Sequence, residues 1–368
     1  MSQRVAGAGL TFEVPRPGAL ALSPALDRLH AHLESLVVGG FPPSVSLAVV
    51  GPEGLVLEAF GGQACTGPET VATTAQTSYD LASLTKVVCT VTLVLIAAQR
   101  GSLSLDDPVA RWLPEYPQEL TTLRHLLTHT AGLVDHRPFF QNGSGRATIE
   151  AAVMVEAKEA VAAGDVCYSD LGFMLLGWVL EACLGRELDE AFAGEVAVPL
   201  GLRRTQFRPP ASERRLTAAT ELDGDQRLAP GLVWGEVHDG NAYALGGVAG
   251  HAGLFAPLDE LARFARMLIS PRQGDVLAAG SIDLMSTRQA GSGDDVRGIG
   301  WKLEPRDWGP WPAGTFWHTG FTGTSLLVAP AAGVAVVLLT NSVHPHRRLD
   351  QQAAMRAEVH RLLAEVLL

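Results

Sequence analysis

The chain has 368 residues, of which 47% are hydrophobic and 18% charged, with a formal charge of −11. That length allows one large or two ordinary domains with ample core. The acidic balance and scattered cations exclude nucleic acid as the expected partner and disfavour an anionic membrane surface.

The first residues, "MSQRVAGAGLTFEVPRPG", are broken by Arg, Glu and Pro before any apolar leader region forms. A cytoplasmic protein is expected, or a periplasmic one if a leader has been removed. "PPSVSLAVVGPEGLVLEAFGG" (42–62) holds two β-rich runs around "GPEG" and reads as a hairpin. "TKVVCTVTLVLIAAQRG" reads as a helix, apolar nearly all round and therefore buried, and too short to span a bilayer. "TLRHLLTHTAG", "SDLGFMLLGWVLEACLG" and "PLDELARFARMLIS" have helical periodicity, separated by Gly- and Pro-rich loops at 135–147 and 205–250. A second hairpin, "TGTSLLVAP" and "GVAVVLLTN" around "PAAG", precedes a closing amphipathic helix. The expected fold is α+β, an α/β sandwich in which an antiparallel sheet is flanked by helices. Residues 1–78 and 255–368 would form the sheet domain, and 79–254 an inserted, mostly helical domain. Clefts form at such junctions. The four cysteines (Cys65, Cys89, Cys167, Cys183) are widely spaced without a CxxC pair, as buried thiols are, with Cys167 open to oxidants.

The first chemical signal is "YDLASLTKVVCT" (79–90). Ser83 and Lys86 are spaced i, i+3, so on a helix they share a face. A serine needs a base before it is a nucleophile, and a lysine is a base only with a lowered pKa. Burial and the positive end of the helix dipole both push that way, so Lys86 is expected to be close to a neutral amine. The composition supports a special role: only Lys86, Lys158 and Lys302 occur among 28 Lys and Arg residues. Arginine cannot lose its proton in a protein, and lysine can. Against this, an ordinary surface serine and lysine would satisfy so loose a pattern. Tyr168 precedes another helix in "CYSDLGFMLLG" and is either a packing residue or a proton relay. His318 closes a short strand in "FWHTGFTGTS", where Gly320 and Gly323 would let a substrate backbone approach an edge strand.

In their order, S-x-x-K, Y-x-[ND] and [KH]-T-G, these patterns resemble the serine β-lactamase and penicillin-binding-protein superfamily, most of all its class C β-lactamase-related branch. The phrases "GSLSLDDPVARWLPEYP", "TTLRHLLTHTAGL" and "GGVAGHAGLFAPLDELARF" extend the likeness over roughly residues 25 to 365. The resemblance implies Ser83 as nucleophile, Lys86 as its base partner and Tyr168 as proton relay. It implies an oxyanion hole from the backbone N–H groups of Ser83 and Phe321, with His318, Thr319 and Gly320 as the third motif lining the cleft. Two positions depart from the usual pattern. Asp170 stands where an Asn is usual and cannot donate an amide hydrogen bond to a substrate. His318 stands where Lys is frequent, which predicts a weaker, pH-dependent anion anchor; Asp170 could hold it protonated.

His125, His129 and His136 in "RHLLTHTAGLVDH" lack the glutamate of a zinc-protease helix and read as packing or loop-tethering residues, so no metal is expected. "GLVWGEVHDGNAYALGGVAGHAG" (231–253) does not match a phosphate-binding loop; His238, Asp239 and Asn241 are candidates for substrate contact or for loop fixing. "VDHRPFF" (134–140) reads as an apolar lip, and no G-x-S-x-G elbow occurs. The expected function is a cofactor-free serine hydrolase. It would cleave an ester, D-amino-acid peptide or β-lactam, a small molecule or short peptide, through an acyl-enzyme on Ser83. The alternative is a non-catalytic binding module on the same fold. Oligomeric state is not readable from one chain.

Overall fold

The computed structural model describes residues 3–7, 9–15, 23–160, 162, 164–224, 230–269, 271 and 276–368. Two separated parts of the chain build one eleven-stranded antiparallel sheet. At its centre the hairpin Ser44–Gly51 and Gly54–Thr66 meets the hairpin Ser325–Ala329 and Val334–Thr340, as both sequence patterns require. These central strands are apolar on both faces because both faces are covered. Val45, Leu47 and Val49 join Val336 and Leu338 on one face, against helices Pro24–Gly39 and Leu349–Leu367. Ala48 and Val50 join Ala335, Val337 and Leu339 on the other, against helix Leu258–Ile269 and the helical half of the chain. The alternation follows from the two-residue period of a strand.

Strand Phe316–Thr319 continues the sheet outward from Ser325–Ala329. Its next neighbour, Lys302–Leu303, pairs only with Trp317 and Phe316, so among the described residues His318 and Thr319 have no strand on that side. A free strand edge therefore exists where the third motif lies.

A second, three-stranded sheet was not foreseen. It joins Ser78–Asp80, Leu254–Pro257 and Gln206–Phe207, drawing the 205–250 loop across the helical half. The chain leaves this sheet at Asp80 and enters a helix over 84–99. Between Lys86 and Val91 the helix is wound as a π turn, with Thr92 Oγ1 donating to the Val87 carbonyl at 3.0 Å. Such a turn is rare and common at functional sites. The helix is buried on every side, by Leu84, Val87, Val88, Val91, Leu93 and Val94 among others. "SDLGFMLLGWVLEACLG" forms Asp170–Leu184, capped by Ser169 and closed by left-handed Gly185. "TLRHLLTHTAG" is helical only over Leu123–Leu127 and then turns at His129, which has φ +59°.

Candidate active site

Ser83 sits on the turn that links the small sheet to the buried helix. Ala82 holds φ +46°, a left-handed conformation uncommon for a residue with a Cβ. The Asp80 carboxylate fixes it by accepting the Ala82 N–H at 2.8 Å and the His238 N–H at 2.7 Å. Burial pushes this carboxyl upward. The third-motif loop is fastened to the same turn. Thr322 Oγ1 donates to the Asp80 carbonyl at 2.7 Å and Thr324 Oγ1 to the Leu81 carbonyl at 3.1 Å. From the other side the last helix holds two loop carbonyls, through Arg356 to Gly320 (3.1 Å) and Gln352 to Phe321 (3.1 Å). Among the described residues nothing accepts the backbone N–H of Ser83 or of Phe321, as an oxyanion hole requires.

Lys86 is fully buried, and its Nζ lies 2.9 Å from Ser83 Oγ, as the i, i+3 spacing anticipates. Its charge differs from expectation. Nζ also donates to Asp170 Oδ1 at 2.6 Å and to the His251 carbonyl at 3.3 Å, which satisfies all three ammonium protons. Burial works against the charge, but Asp170 and Tyr168 outweigh it and raise the pKa. Lys86 is thus an ammonium at rest. Asp170 in turn is held well below the usual carboxylate range: burial opposes this, and Lys86 and His136 override it. Its second oxygen lies 3.5 Å from His136 Nδ1. Asp170 is therefore the counter-ion of buried Lys86.

The Tyr168 ring packs on His129 (centroids 4.6 Å apart) and faces Lys86 Nζ at 5.0 Å and His318 at 6.0 Å. His129 is buried and kept neutral by burial and by nearby Arg297 and Lys86, and its Nδ1 accepts the Ser169 N–H at 3.0 Å. It thereby holds the second motif in place. His318 corrects another expectation. It is only 4% exposed, its Nδ1 contacts the Thr319 carbonyl at 2.9 Å, and its pKa is pushed down to about 3. Burial is the main cause, followed by Lys86 and Arg297; Asp170 does not keep it protonated. We expect no limb from His318 in the rate profile between about pH 5 and 9. A limb in that range that vanishes in His318→Asn would contradict this neutral assignment.

The glycines of this loop face inward. A Cβ on Gly323 would collide with Thr340 and Ser342, and one on Gly320 with Thr324 and the Leu81 carbonyl, so neither makes room for a substrate. The three loop candidates also have internal duties. His238 is buried against Glu221 (3.0 Å) and stacks on Phe321 (5.7 Å). Asn241 is buried, accepts the Phe140 N–H and donates to the Arg137 carbonyl. Asp239 caps helix Gly240–Ala244 and accepts from His251 Nε2 at 2.9 Å. All three fix the loop. Beside them is a cavity of 930 Å³ lined by Phe140, Tyr243, Phe255 and Arg208; Ser83 does not line it.

Arg297 escaped the sequence reading. It is 6% exposed, with its guanidinium 5.8 Å from the Tyr168 ring centroid. Nε donates to Asp295 at 2.7 Å, while its two terminal nitrogens have no partner among the described residues. "GDDVRGIG" looks like an exposed turn and carries no local sign of this burial. Asp80 did leave a sign, an acidic residue two places before Ala82, the spacing of an Asx turn.

The beta-lactamase family model matches residues 33–361. The chain belongs to the beta-lactamase family. It is, with that family, a serine hydrolase. An Escherichia coli protein named "Putative D-alanyl-D-alanine carboxypeptidase" is 29% identical over 360 residues, covering 87% of this chain and 82% of its own. Its Salmonella typhi namesake is 27% identical over 362 residues, covering 88% and 84%. Among solved structures, EstCE1, a hydrolase with promiscuous acyltransferase activity, matches at TM-score 0.73 and 22% identity, covering 92% of this chain and 98% of its own. A class C beta-lactamase mutant matches at TM-score 0.73 and 19% identity, covering 93% and 97%. These likenesses agree on the fold. Within this beta-lactamase-family chain, no helix of the described residues is long and apolar enough to cross a membrane.

Proposed function

We propose that this beta-lactamase-family protein is a carboxypeptidase-type serine hydrolase. It would remove the C-terminal residue of a short peptide through an acyl-enzyme on Ser83. Lys86 first loses one ammonium proton to solvent; Ser83 Oγ then bonds to the scissile carbonyl carbon and gives its proton to the neutral Lys86 amine. The backbone N–H groups of Ser83 and Phe321 hold the oxyanion. Tyr168 returns a proton to the leaving nitrogen as the C–N bond breaks. Water then attacks the ester and releases the shortened peptide acid.

The observation that carries the substrate class is Arg297. A buried guanidinium with two unengaged nitrogens beside Tyr168 and His318 suits a bidentate carboxylate, such as a peptide C-terminus. The likeness to proteins named as carboxypeptidases supports the same class. The free edge at His318 and Thr319 gives an extended peptide backbone a place to pair.

The test has two arms. Intact-mass spectrometry after a fluorophosphonate should show one adduct on the wild type and none on Ser83→Ala; an adduct surviving in the variant removes Ser83 as nucleophile. Turnover of D-alanyl peptides with a free or an amidated C-terminus should favour the free acid. Arg297→Gln should cut that preference by roughly 100-fold, the scale of a lost buried charge pair. An unchanged preference would point to an ester or another neutral substrate. No turnover by either, with no adduct, would return the reading to a non-catalytic binding module.

A further inference from the structure

Glu221 takes no part in the reaction above, yet its buried carboxylate gathers two nitrogen donors onto one oxygen. Oε2 lies 3.0 Å from His238 Nε2 and 2.8 Å from Arg347 Nη2. Burial pushes this carboxyl up, but His238 and Arg347 override it and hold it below the usual carboxylate range. An ionised carboxylate only accepts, so His238 carries a proton on Nε2.

The backbone places Glu221 before its side chain acts. Its carbonyl accepts the Val233 N–H at 3.0 Å. On either side, the Thr220 N–H donates to the Val233 carbonyl at 2.9 Å and the Leu222 N–H to the Pro345 carbonyl at 2.8 Å. Glu221 is thus stitched between the loop that carries His238 and the segment that carries Arg347.

Both partners of the carboxylate pack on one ring. The His238 imidazole stacks on Phe321 with centroids 5.7 Å apart and planes 20° apart, and the Arg347 guanidinium stands 5.4 Å from the same centroid. Phe321 is 40% exposed, so deep burial does not hold its ring; these two planar groups do. His238 also reaches the nucleophile turn. Its N–H donates to Asp80 Oδ2 at 2.7 Å, and Asp80 Oδ1 accepts the Ala82 N–H at 2.8 Å. One residue therefore touches the Ser83 turn with its backbone and Phe321 with its side chain.

The peptide unit between Gly320 and Phe321 is planar, so its N–H direction follows from the Gly320 carbonyl and the Phe321 Cα. Arg356 holds the carbonyl at 3.1 Å. The packed ring holds the Cα. We infer that Glu221 is a positioning residue: by locking His238 and Arg347 against Phe321, it sets the Phe321 N–H beside the Ser83 N–H so that both meet one oxyanion. This deepens the oxyanion hole proposed above and rests on it. Donors fixed in advance need no reorganisation as charge develops.

The test is a double-mutant cycle between Glu221→Gln and Phe321→Ala. It is read as kcat and KM for p-nitrophenyl acetate and as the second-order rate of fluorophosphonate labelling. Glu221→Gln keeps the side chain's size and removes the charge that grips both partners. Alone, it should lower kcat and the labelling rate by about tenfold or more with KM little changed, part of the roughly 100- to 1000-fold cost of losing an oxyanion donor. In the Phe321→Ala background it should change either rate by less than about twofold, because the ring it acts through is gone. Any loss of melting temperature should persist in both backgrounds, since His238 and Arg347 are present in both. Unchanged rates in Glu221→Gln, or the same fold-loss in both backgrounds, overturn the proposal. Should Glu221→Gln fail to fold, Arg347→Met takes its place in the cycle with the same expectations. Fluorophosphonate labelling that survives Ser83→Ala would instead strike the reading of the nucleophile, whatever the cycle shows.

Discussion

Asp170→Ala should destabilise the protein by about 3–5 kcal/mol, the usual cost of removing one partner from a buried ion pair. Lys86 is 0% exposed and would keep only two neutral acceptors, Ser83 Oγ and the His251 carbonyl. Its burial would then be opposed chiefly by Tyr168, without Asp170, and its proton would leave at lower pH. A near-isosteric Asp170→Asn should therefore shift the rising limb of fluorophosphonate labelling to lower pH. A limb that does not move would mean that Lys86 deprotonation does not govern acylation. The double variant Lys86→Met with Asp170→Leu should recover much of the lost stability, because no buried charge is left alone.

The same pair makes a signed prediction for stability against pH. The folded-state pKa of Asp170 is depressed, so its contribution is present above the ordinary carboxylate value of 3.8 and is lost as pH falls below it. The folded-state pKa of Lys86 is raised, so its contribution is present below 10.5 and is lost as pH rises further. The stability gap between wild type and Asp170→Ala, measured by urea unfolding, should be widest between these limits and narrow towards acid. A gap that grows as pH falls from about 5 to 3 would contradict the assignment.

Gly320→Ala should abolish measurable turnover and lower the melting temperature. The new methyl would lie well inside contact with Thr324 Oγ1 and the Leu81 carbonyl. Thr324 can rotate only by giving up its own bond to Leu81, and the carbonyl is backbone on the nucleophile turn. The clash must separate the third-motif loop from that turn, and with it the N–H of Phe321 from that of Ser83. We expect kcat to fall about 1000-fold, the upper range for a lost oxyanion donor. A Gly320→Ala protein with more than a tenth of wild-type kcat would show that the two segments need no such close contact.

Much of the fold was legible because it obeys short-range rules. The paired β-rich runs around "GPEG" and "PAAG" and the buried helix after Ser83 carry their periods in the chain itself. The Ser83–Lys86 contact is also local, three residues on one helical face. The protonation state of Lys86 was misread because its counter-ion is 84 residues away, and dipole and burial are the only influences that sequence proximity reveals. His318 was misread for the same reason: a strand-end histidine looks solvated until the fold buries it and brings Lys86 and Arg297 near. For His238, Asp239 and Asn241 the sequence left substrate contact and loop fixing open, because the partners that decide it come from other segments or from a helix cap.

By itself, then, the sequence determined the reaction class and the close Ser83–Lys86 contact, since helical spacing and ordered motifs are properties of the chain. Only the tertiary structure decided which groups are charged and which of them come together. Electrostatic energy depends on distance and solvent exposure in three dimensions, and the Lys86–Asp170–His136 line and the buried Arg297 come into being only when distant segments meet.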